Sequence, residues 1–483
     1  MDMLSLSLNT GIYLQYLVGE VRMPDNSESR NHKFIIILID LFVILAAYIG
    51  AFYIRYGGFP AENWSSFVAL LPWILLIGLF FISVYELYAL SRKNTIWDVL
   101  LKILIAVSFM AFLTMAASYL FREFALPRSI ILIASIFTVL FMVFWKSLYL
   151  KFIRRNVVGK VLLIGDGEEA QKMMSKVKHP MLQGTSVKHI EADTPISLVT
   201  SFFRQVDYVL LCPNISKEQK SQIIYHAMEC NKVVYVIPTL YELLMQRSQV
   251  TPLEDTLAMS VKPFGLTWDE KLIKRTFDIL ASGSILLLAS PLLLLVTLGI
   301  KLESPKGSII YKQERLGQND QAFTIYKFRS MIEGAENGTG PMLSPENDNR
   351  ITKFGKIIRA TRLDELPQVF NVLKGDMSLV GPRPEREFFI KQLSEQYYHY
   401  SYRNTVKPGI TGYAQIMGKY STEAVDKLRF DLYYIRNYSF WLDIIILLKT
   451  FAVVFDMSKT EGTTEKKSTS SMEKKSKATF DNQ

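Results

Sequence analysis

Five apolar stretches constrain this chain more than any other feature. Four lie in the first third, at about 34–54, 67–85, 99–121 and 128–150, and a fifth at 276–300. Each is near the ~20 residues that a helix needs to cross hydrocarbon. The cations beside the first four set their direction. Arg22, Arg30 and Lys33 precede the first stretch, Arg92 and Lys93 lie between the second and third, and Lys151, Arg154, Arg155 and Lys160 follow the fourth. The other two loops carry only Arg55, and Arg122 with Arg128. That bias puts both ends of a four-helix bundle in the cytoplasm. Asp40, inside the first stretch, is either functional or the partner of a bundle residue; the second reading is preferred.

The apolar stretches also decide how the charge is read. The chain has 483 residues, a formal charge of +10 and a pI of about 9.2, with 49% hydrophobic residues and a mean hydropathy of +0.17. A basic balance fits nucleic acid or an anionic membrane surface. Membrane-length spans favour the second, and no nucleic-acid partner is expected. Cys212 and Cys230 lie in one soluble segment, so no disulfide framework is expected. The five histidines make no zinc spacing with them. No cleavable signal peptide is expected either, because a polar stretch, Pro24 to Lys33, precedes the first apolar run.

After the bundle, residues 157–250 read as an α/β unit. Strands are expected at Val161–Ile164, Val206–Leu211 and Lys232–Ile237, with helical runs between them, which implies a parallel sheet. Gly165, Gly167 and Ala170 make a partial dinucleotide fingerprint. The third glycine is absent, and Glu168 and Glu169 would repel a pyrophosphate. A docking or regulatory role is the better reading.

The fifth apolar run contains Ser290-Pro291. Proline removes one helical hydrogen bond, and the Ser290 hydroxyl offers a substitute partner. The run is either a kinked spanning helix or a broken helix that dips in and returns. Beyond it, Ser308–Lys312 and Ala322–Phe328 alternate as strands around a Gly317–Asp320 turn, which puts Lys327 and Arg329 on one face, suited to a phosphate or merely solvated. Residues 334–349 form a Gly/Pro/Asn-rich loop, read as a mobile cover. Residues 425–456 mix aromatics with Lys427, Arg429 and Arg436. This suits helices lying in the membrane interface, with a buried core helix as the alternative. Residues 458–483 are expected to be disordered.

The richest stretch runs from Arg359 to Arg386. Adjacent carboxylates Asp364 and Glu365 follow Arg359 and Arg362, and a Gly381-Pro-Arg383-Pro384 turn comes later. Asp364 is either an N-cap, with Pro367 in the first helical turn, or a nucleophile toward phosphorus. In the second reading Glu365 holds Mg²⁺ together with water and substrate phosphates. Arginine forks at 359 and 383 suit phosphate oxygens.

Taken in order, several pieces resemble one family. They are Lys274-Arg-Thr-Phe-Asp278, Ser290-Pro291, Ile310-Tyr-Lys-Gln-Glu-Arg-Leu-Gly317, Tyr326-Lys-Phe-Arg-Ser-Met331, Leu363-Asp-Glu-Leu-Pro-Gln368, Lys374-Gly-Asp376, Gly381-Pro-Arg-Pro384 and Val406-Lys-Pro-Gly-Ile-Thr-Gly412. The ordered set resembles the bacterial polyprenyl-phosphate sugar-1-phosphate transferases, the monotopic phosphoglycosyl transferases, in their long form. The resemblance implies a membrane protein of the following plan. An N-terminal segment (1–33) and a four-helix transmembrane bundle (34–155) come first. A Rossmann-like α/β domain (156–255) and a linker (256–272) follow. An α/β catalytic domain (273–457) then has a re-entrant helix (273–303), broken at Ser290 and Pro291, and interfacial amphipathic helices.

It further implies transfer of a sugar-1-phosphate from a UDP-sugar to polyprenyl phosphate at the bacterial cytoplasmic membrane, opening exopolysaccharide or capsule synthesis. Asp364 would be the nucleophile, Glu365 the Mg²⁺ ligand, and Lys327, Arg329, Arg359 and Arg383 the phosphate-binding cations. The sugar and the oligomeric state stay open. Two other classes remain: a membrane sugar-nucleotide dehydratase, which expects a Tyr-x-x-x-Lys pair that none of the 24 tyrosines supplies, and a non-catalytic sensor or scaffold.

Overall fold

The computed structural model describes residues 27–88, 90, 95–120, 126–156, 160–177, 186–261, 263–335, 348–397, 399–418 and 422–454. The loop cations Arg22, Arg92, Lys93 and Arg122, the tail 458–483 and most of the 334–349 loop lie outside these residues. The chain divides into two compact units, 1–239 and 240–483.

The first unit opens with four long helices: α1 (Ser27–Tyr56), α2 (Ala61–Val84), α3 (Ile96–Leu120) and α4 (Arg128–Asn156). All four are long and apolar enough to cross a membrane. Phe42, Phe112 and Phe144 point outward, each more than 60% exposed. Apolar side chains on the outside as well as the inside are what lipid, rather than water, permits. At Gly78 of α2 an added Cβ would come within 2.7 Å of Ile44 Cδ1 on α1, so the missing side chain lets these helices approach. Asp40 is fully buried. It accepts from Lys146 Nζ on α4 at 2.6 Å and from Trp145 Nε1 at 3.2 Å. A buried carboxylate with two donors is a bundle partner, the structural role preferred from sequence.

The rest of this unit is a four-stranded parallel sheet in the order β2-β1-β3-β4. The strands are β1 (Lys160–Ile164), β2 (Ser186–Ile190), β3 (Tyr208–Leu211) and β4 (Val233–Val236). Helix α5 (Gly167–Val177) lies between β1 and β2, α6 (Ile196–Ser201) between β2 and β3, and α7 (Lys217–Glu229) between β3 and β4. Strand β2 was not expected, because its Ser-Val-Lys-His-Ile sequence is half polar; an edge position tolerates that. At the glycine turn after β1, the space beside Gly165 is filled by protein, while Gly167 stands open. An added Cβ on Gly165 would sit 2.4 Å from Cys212 Cβ, and Asp166 Oδ1 accepts from the Ala192 N–H at 2.6 Å. Close packing accounts for that glycine without a ligand.

The second unit begins with α8 (Leu240–Leu244) and a hairpin of β5 (Gln249–Leu253) and β6 (Thr256–Ser260). Helix α9 (Trp268–Glu303) follows, opened by a capping box of Thr267 and Glu270. It runs 36 residues as one helix with Pro291 inside, continuous through the Ser290-Pro291 pair. The reason is local. Pro291 deprives the Leu287 carbonyl of its usual partner, and the Ser290 hydroxyl donates to that carbonyl at 2.8 Å. Both arms of α9 pack on the same α/β body. Phe277, Ala281 and Ile285 meet a core around Ile325, Val372, Val380 and Ile446, while Val296 and Ile300 meet Phe328 and Ile358. Between the arms, Leu287 and Leu288 are 77% and 81% exposed.

An antiparallel hairpin of β7 (Ile310–Leu316) and β8 (Ala322–Phe328) comes next. β7 starts and ends later than the expected Ser308–Lys312, because left-handed Asn319 and Asp320 close the turn and set the register. Then follow α10 (Lys353–Ala360), α11 (Gln368–Lys374), β9 (Ser378–Val380), α12 (Glu387–Gln396), β10 (Gly409–Thr411), α13 (Tyr413–Met417), α14 (Ala424–Arg436) and α15 (Phe440–Val454). Helix α14 buries Leu428, Asp431, Leu432, Tyr434 and Ile435, so it is a core helix rather than an interfacial one. Its five buried positions recur at helical spacing and outweigh its flanking cations. Asp443 of α15 is buried as the partner of Lys274, with Tyr434 donating to its second oxygen at 2.8 Å. The outer face of α15 exposes Trp441 and Phe451.

Candidate active site

The adjacent carboxylates sit in a short 3-10 turn, Leu363–Glu365, between α10 and α11. Arg362, in the left-handed region at φ 58°, turns the chain out of α10. Neither carboxylate caps a helix: Arg362 precedes the 3-10 turn and Pro367 occupies the cap position of α11. The helix-cap reading of Asp364 therefore has no geometric support.

Glu365 is the anchored member. Its Oε1 accepts from Lys327 Nζ at 2.9 Å and from Arg383 NH2 at 2.6 Å. Burial alone would raise its pKa, but the charges of Arg383 and Lys327 hold it well below the usual carboxylate range. Arg383 is raised in turn by Glu365, and Lys327 is lowered, chiefly by burial. The position of Lys327 depends on Asn371 in α11. The Asn371 side-chain amide donates to the Thr324 carbonyl at 2.7 Å and accepts from the Tyr326 N–H at 3.0 Å, pairing with the open edge of β8. Strand, helix and ion pair are thus one joint.

Asp364 is the unengaged member. Among the described residues its carboxyl group makes no hydrogen bond. Burial and then the neighbouring Glu365 push its pKa up to about 6, against the pull of Lys327, Arg359 and Arg362. It is mostly ionised at neutral pH, in a positive field, with both oxygens available. Arg359, in the last turn of α10, is half-buried and acts on Asp364 through its charge. Arg329 does not join this group. Strand β8 ends at Phe328, and the Arg329 guanidinium lies against Gly307 and donates to the Ser304 carbonyl at the end of α9. The period-two alternation was extended one residue past the strand.

The turn that carries Arg383 is held from several sides. Gly381 N–H donates to the Thr411 carbonyl and Gly409 N–H to the Pro382 carbonyl, each at 2.9 Å. Added Cβ atoms on Gly381, Gly409 and Gly412 would come within 2.4 Å of backbone atoms across this joint. The Gly-Pro-Arg-Pro and Lys-Pro-Gly-Ile-Thr-Gly pieces are therefore two halves of one close backbone contact.

Sequence reasoning missed the residue beneath the turn. Arg403, 4% exposed, donates to the Arg383 carbonyl and to the Tyr400 hydroxyl oxygen, each at 3.0 Å, and pairs with Asp431 at 2.8 Å and with Glu385 at 3.1 Å. Its partners lie 18 and 28 residues away in sequence, so no local pattern marks it. Arg403→Leu leaves a buried Asp431 unpaired, which typically costs about 3–5 kcal/mol. We expect a lower melting temperature and a weaker hold on Arg383. A variant that melts like the unmodified protein contradicts this role.

A magnesium ion takes few protein ligands and completes its shell with phosphates and water. The site suits that habit. Glu365 Oε2 meets only a long 3.4 Å contact from Arg383 NH1, and the Asp364 oxygens are open. Among the described residues no group of three or more His, Cys, Asp or Glu side chains is placed to hold a metal ion.

Residues 269–457 match the family model of the bacterial sugar transferases. The chain is 43% identical over 224 residues to the UDP-N-acetylgalactosamine-undecaprenyl-phosphate N-acetylgalactosaminephosphotransferase of Aeromonas hydrophila, covering 46% of this chain and 52% of that one. It is 42% identical over 182 residues to the UDP-glucose:undecaprenyl-phosphate glucose-1-phosphate transferase of Caulobacter vibrioides, covering 37% and 67%. It is 30% identical over 328 residues to an uncharacterized sugar transferase of Haemophilus influenzae, covering 61% and 69%. Against several such relatives the chain spans about half of the relative's length. The matched segment contains both carboxylates, Lys327, Arg383 and Arg403, and on these matches the chain belongs to the bacterial sugar transferase family.

Proposed function

We propose that this protein transfers a sugar-1-phosphate from a UDP-sugar to a polyprenyl phosphate, such as undecaprenyl phosphate, and releases UMP. The observation that carries the reading is the division of labour between adjacent carboxylates: Glu365 bonded to two cations, Asp364 ionised and unbonded beside them. The names of the relatives point to the same substrates.

In the first step an Asp364 oxygen forms a bond to the sugar-bearing phosphorus. The bond from that phosphorus to the bridging oxygen breaks, and UMP leaves with the electron pair. In the second step the lipid phosphate attacks the same phosphorus and frees Asp364. Arg359, Arg383 and Lys327 supply a fixed positive field for both anionic reactants, the kind of term that dominates such catalysis. Magnesium, held by Glu365 and the diphosphate, would offset further charge. Membranes containing the protein should release UMP from at least one UDP-sugar beyond one equivalent per protein only when polyprenyl phosphate is supplied. No release from a panel of glucose, galactose and N-acetylated sugar nucleotides would defeat the reading.

The bundle is proposed to cross the bacterial cytoplasmic membrane, with the parallel sheet of the first unit and the α/β body of the second on the cytoplasmic side. Helix α9 is proposed to enter and leave the same face. One feature supports this: both of its arms pack on one α/β body. The outer face of α15, with Trp441 and Phe451, would lie in the interface. The parallel sheet of the first unit is proposed as a Rossmann-like docking or regulatory module, since Cys212 fills the space beside Gly165 and Glu168 and Glu169 open the helix that follows. With Cys230 replaced, single cysteines at Lys271 and Lys306 should both resist an impermeant thiol reagent in intact cells. Labelling of the Lys306 site alone would mean that α9 spans.

A further inference from the structure

Where α11 ends, two cations from distant parts of the chain meet beside a glycine. Arg275, on the first arm of α9, donates from NH1 to the Val372 carbonyl at 2.6 Å and from NH2 to the Leu373 carbonyl at 2.8 Å. Those bonds use two of the five N–H groups of a guanidinium. Gly375 follows in the left-handed region at φ 102°. A Cβ added there would lie 3.4 Å from Arg275 NH2 and 3.7 Å from Lys407 Nζ, so both cations flank the bare face of this glycine. Among the described residues the Lys407 ammonium makes no hydrogen bond or ion pair. The carboxylates nearby are engaged: Asp278 accepts from the Leu379 N–H at 3.1 Å, and Asp376 pairs with Lys374 at 3.0 Å. Burial, then the charge of Arg275, lower the pKa of Lys407 against the pull of Asp278 and Asp376. With charge-assisted bonds of about 2.8 Å, one phosphate group reaches both nitrogens.

The surroundings of Arg275 select the kind of phosphate. Leu272 and Ile279, three residues before it and four after, share its helical face and are 52% and 43% exposed. Phe370, on α11, is 51% exposed. A cation bordered by outward apolar side chains suits a membrane surface, where the stem meets acyl chains and the charge meets headgroups. Arg275 also lies twelve residues before Leu287 in the middle of α9, roughly 18 Å along the helix, and one leaflet of hydrocarbon is ~15 Å deep. That places it at headgroup level. The length of α11, roughly 10 Å, separates Gly375 from the turn that carries Asp364. We propose that Arg275 and Lys407 bind the headgroup phosphate of an anionic phospholipid of the bilayer, at a site apart from the reacting carboxylates. This rests on α9 entering the membrane at the cytoplasmic face, as above. The bound lipid fastens the first arm of α9 to the end of α11, the helix whose Asn371 sets the position of Lys327.

Free phosphate and the lipid acceptor carry the same group, so the test separates the three sources. Full-length protein in neutral detergent is titrated with phosphatidylglycerol, and the first lipid bound is followed by native mass spectrometry, with and without Lys407→Gln. We expect the variant to bind this lipid at least ~10-fold more weakly, the loss of roughly one charge-assisted contact. Binding of phosphatidylcholine, whose own cation offsets its phosphate, should change less than about twofold. Arg275→Lys keeps the charge, loses the fork and should also weaken phosphatidylglycerol. Unchanged phosphatidylglycerol affinity in Lys407→Gln overturns the proposal. Full displacement of the lipid by excess inorganic phosphate marks a site for free anions and overturns it too. So does a raised KM for polyprenyl phosphate with phosphatidylglycerol binding unchanged, which assigns the cations to the acceptor. Should Lys407→Gln fail to fold, Lys407→Met keeps the stem, loses the charge and carries the same measurements. Lipid binding is read without turnover. Binding that depends on Lys407 in a protein that releases no UMP would leave the lipid site standing and sink the transferase reading instead.

Discussion

Asp364→Asn is expected to cut UMP release by at least ~10³-fold while leaving the fold intact. The two parts of this expectation have separate reasons. The carboxyl group makes no hydrogen bond among the described residues, so asparagine of the same shape displaces nothing. Burial and the adjacent Glu365 already disfavour its ionisation, pushing its pKa up to about 6. Removing that charge relieves repulsion with Glu365, and the melting temperature should hold or rise slightly. Glu365→Gln is a poorer experiment. It takes the shared acceptor from Lys327 and Arg383, so lost activity would mix a chemical effect with a collapsed ion pair. A folded Asp364→Asn protein with near-normal turnover would remove Asp364 from the nucleophile role.

Chelation should be as severe. Excess EDTA is expected to abolish UMP release, and added Mg²⁺ to restore it. Lys327 and Arg383 already bond Glu365, so they are only partly available to a diphosphate. Arg359 and Arg362 remain near Asp364, against a donor and an acceptor that are both anionic. A hard divalent cation on phosphate oxygens and a free Glu365 oxygen suits that charge balance. Full turnover in excess chelator would take magnesium out of the account and leave the arginines to supply the field alone.

The sequence made some of this site readable and concealed the rest, for physical reasons. Asp364 and Glu365 stood out through the ordered set of family motifs around them; the dipeptide alone left a helix cap open. Arg383 stood out because two prolines fix it. Arg403 and Asp431 did not, since each is one charge in an aromatic stretch, and its meaning depends on a partner far along the chain. Arg329 was grouped with Lys327 by alternation, but alternation lapses where a strand ends. The same limit applies to the fold. Long apolar helices announce themselves by length, whereas β2 is an edge strand of mixed polarity. At Pro291 a kinked and a broken helix stayed open in the sequence, which offers the Ser290 hydroxyl as a partner but cannot show that it reaches the Leu287 carbonyl. The core character of α14 was hidden by cations at its margins.

The central claim is that the sugar phosphate passes through Asp364. Purified protein with Mg²⁺ and a UDP-sugar labelled in the sugar, but without polyprenyl phosphate, is quenched with acid, digested and analysed by mass spectrometry. The account predicts a single phosphosugar adduct on the peptide containing Asp364. UMP should appear in equal amount, the adduct should be discharged by added polyprenyl phosphate, and Asp364→Asn should form none. UMP released in the presence of lipid acceptor with no adduct at any stage, or an adduct on another residue, would contradict it.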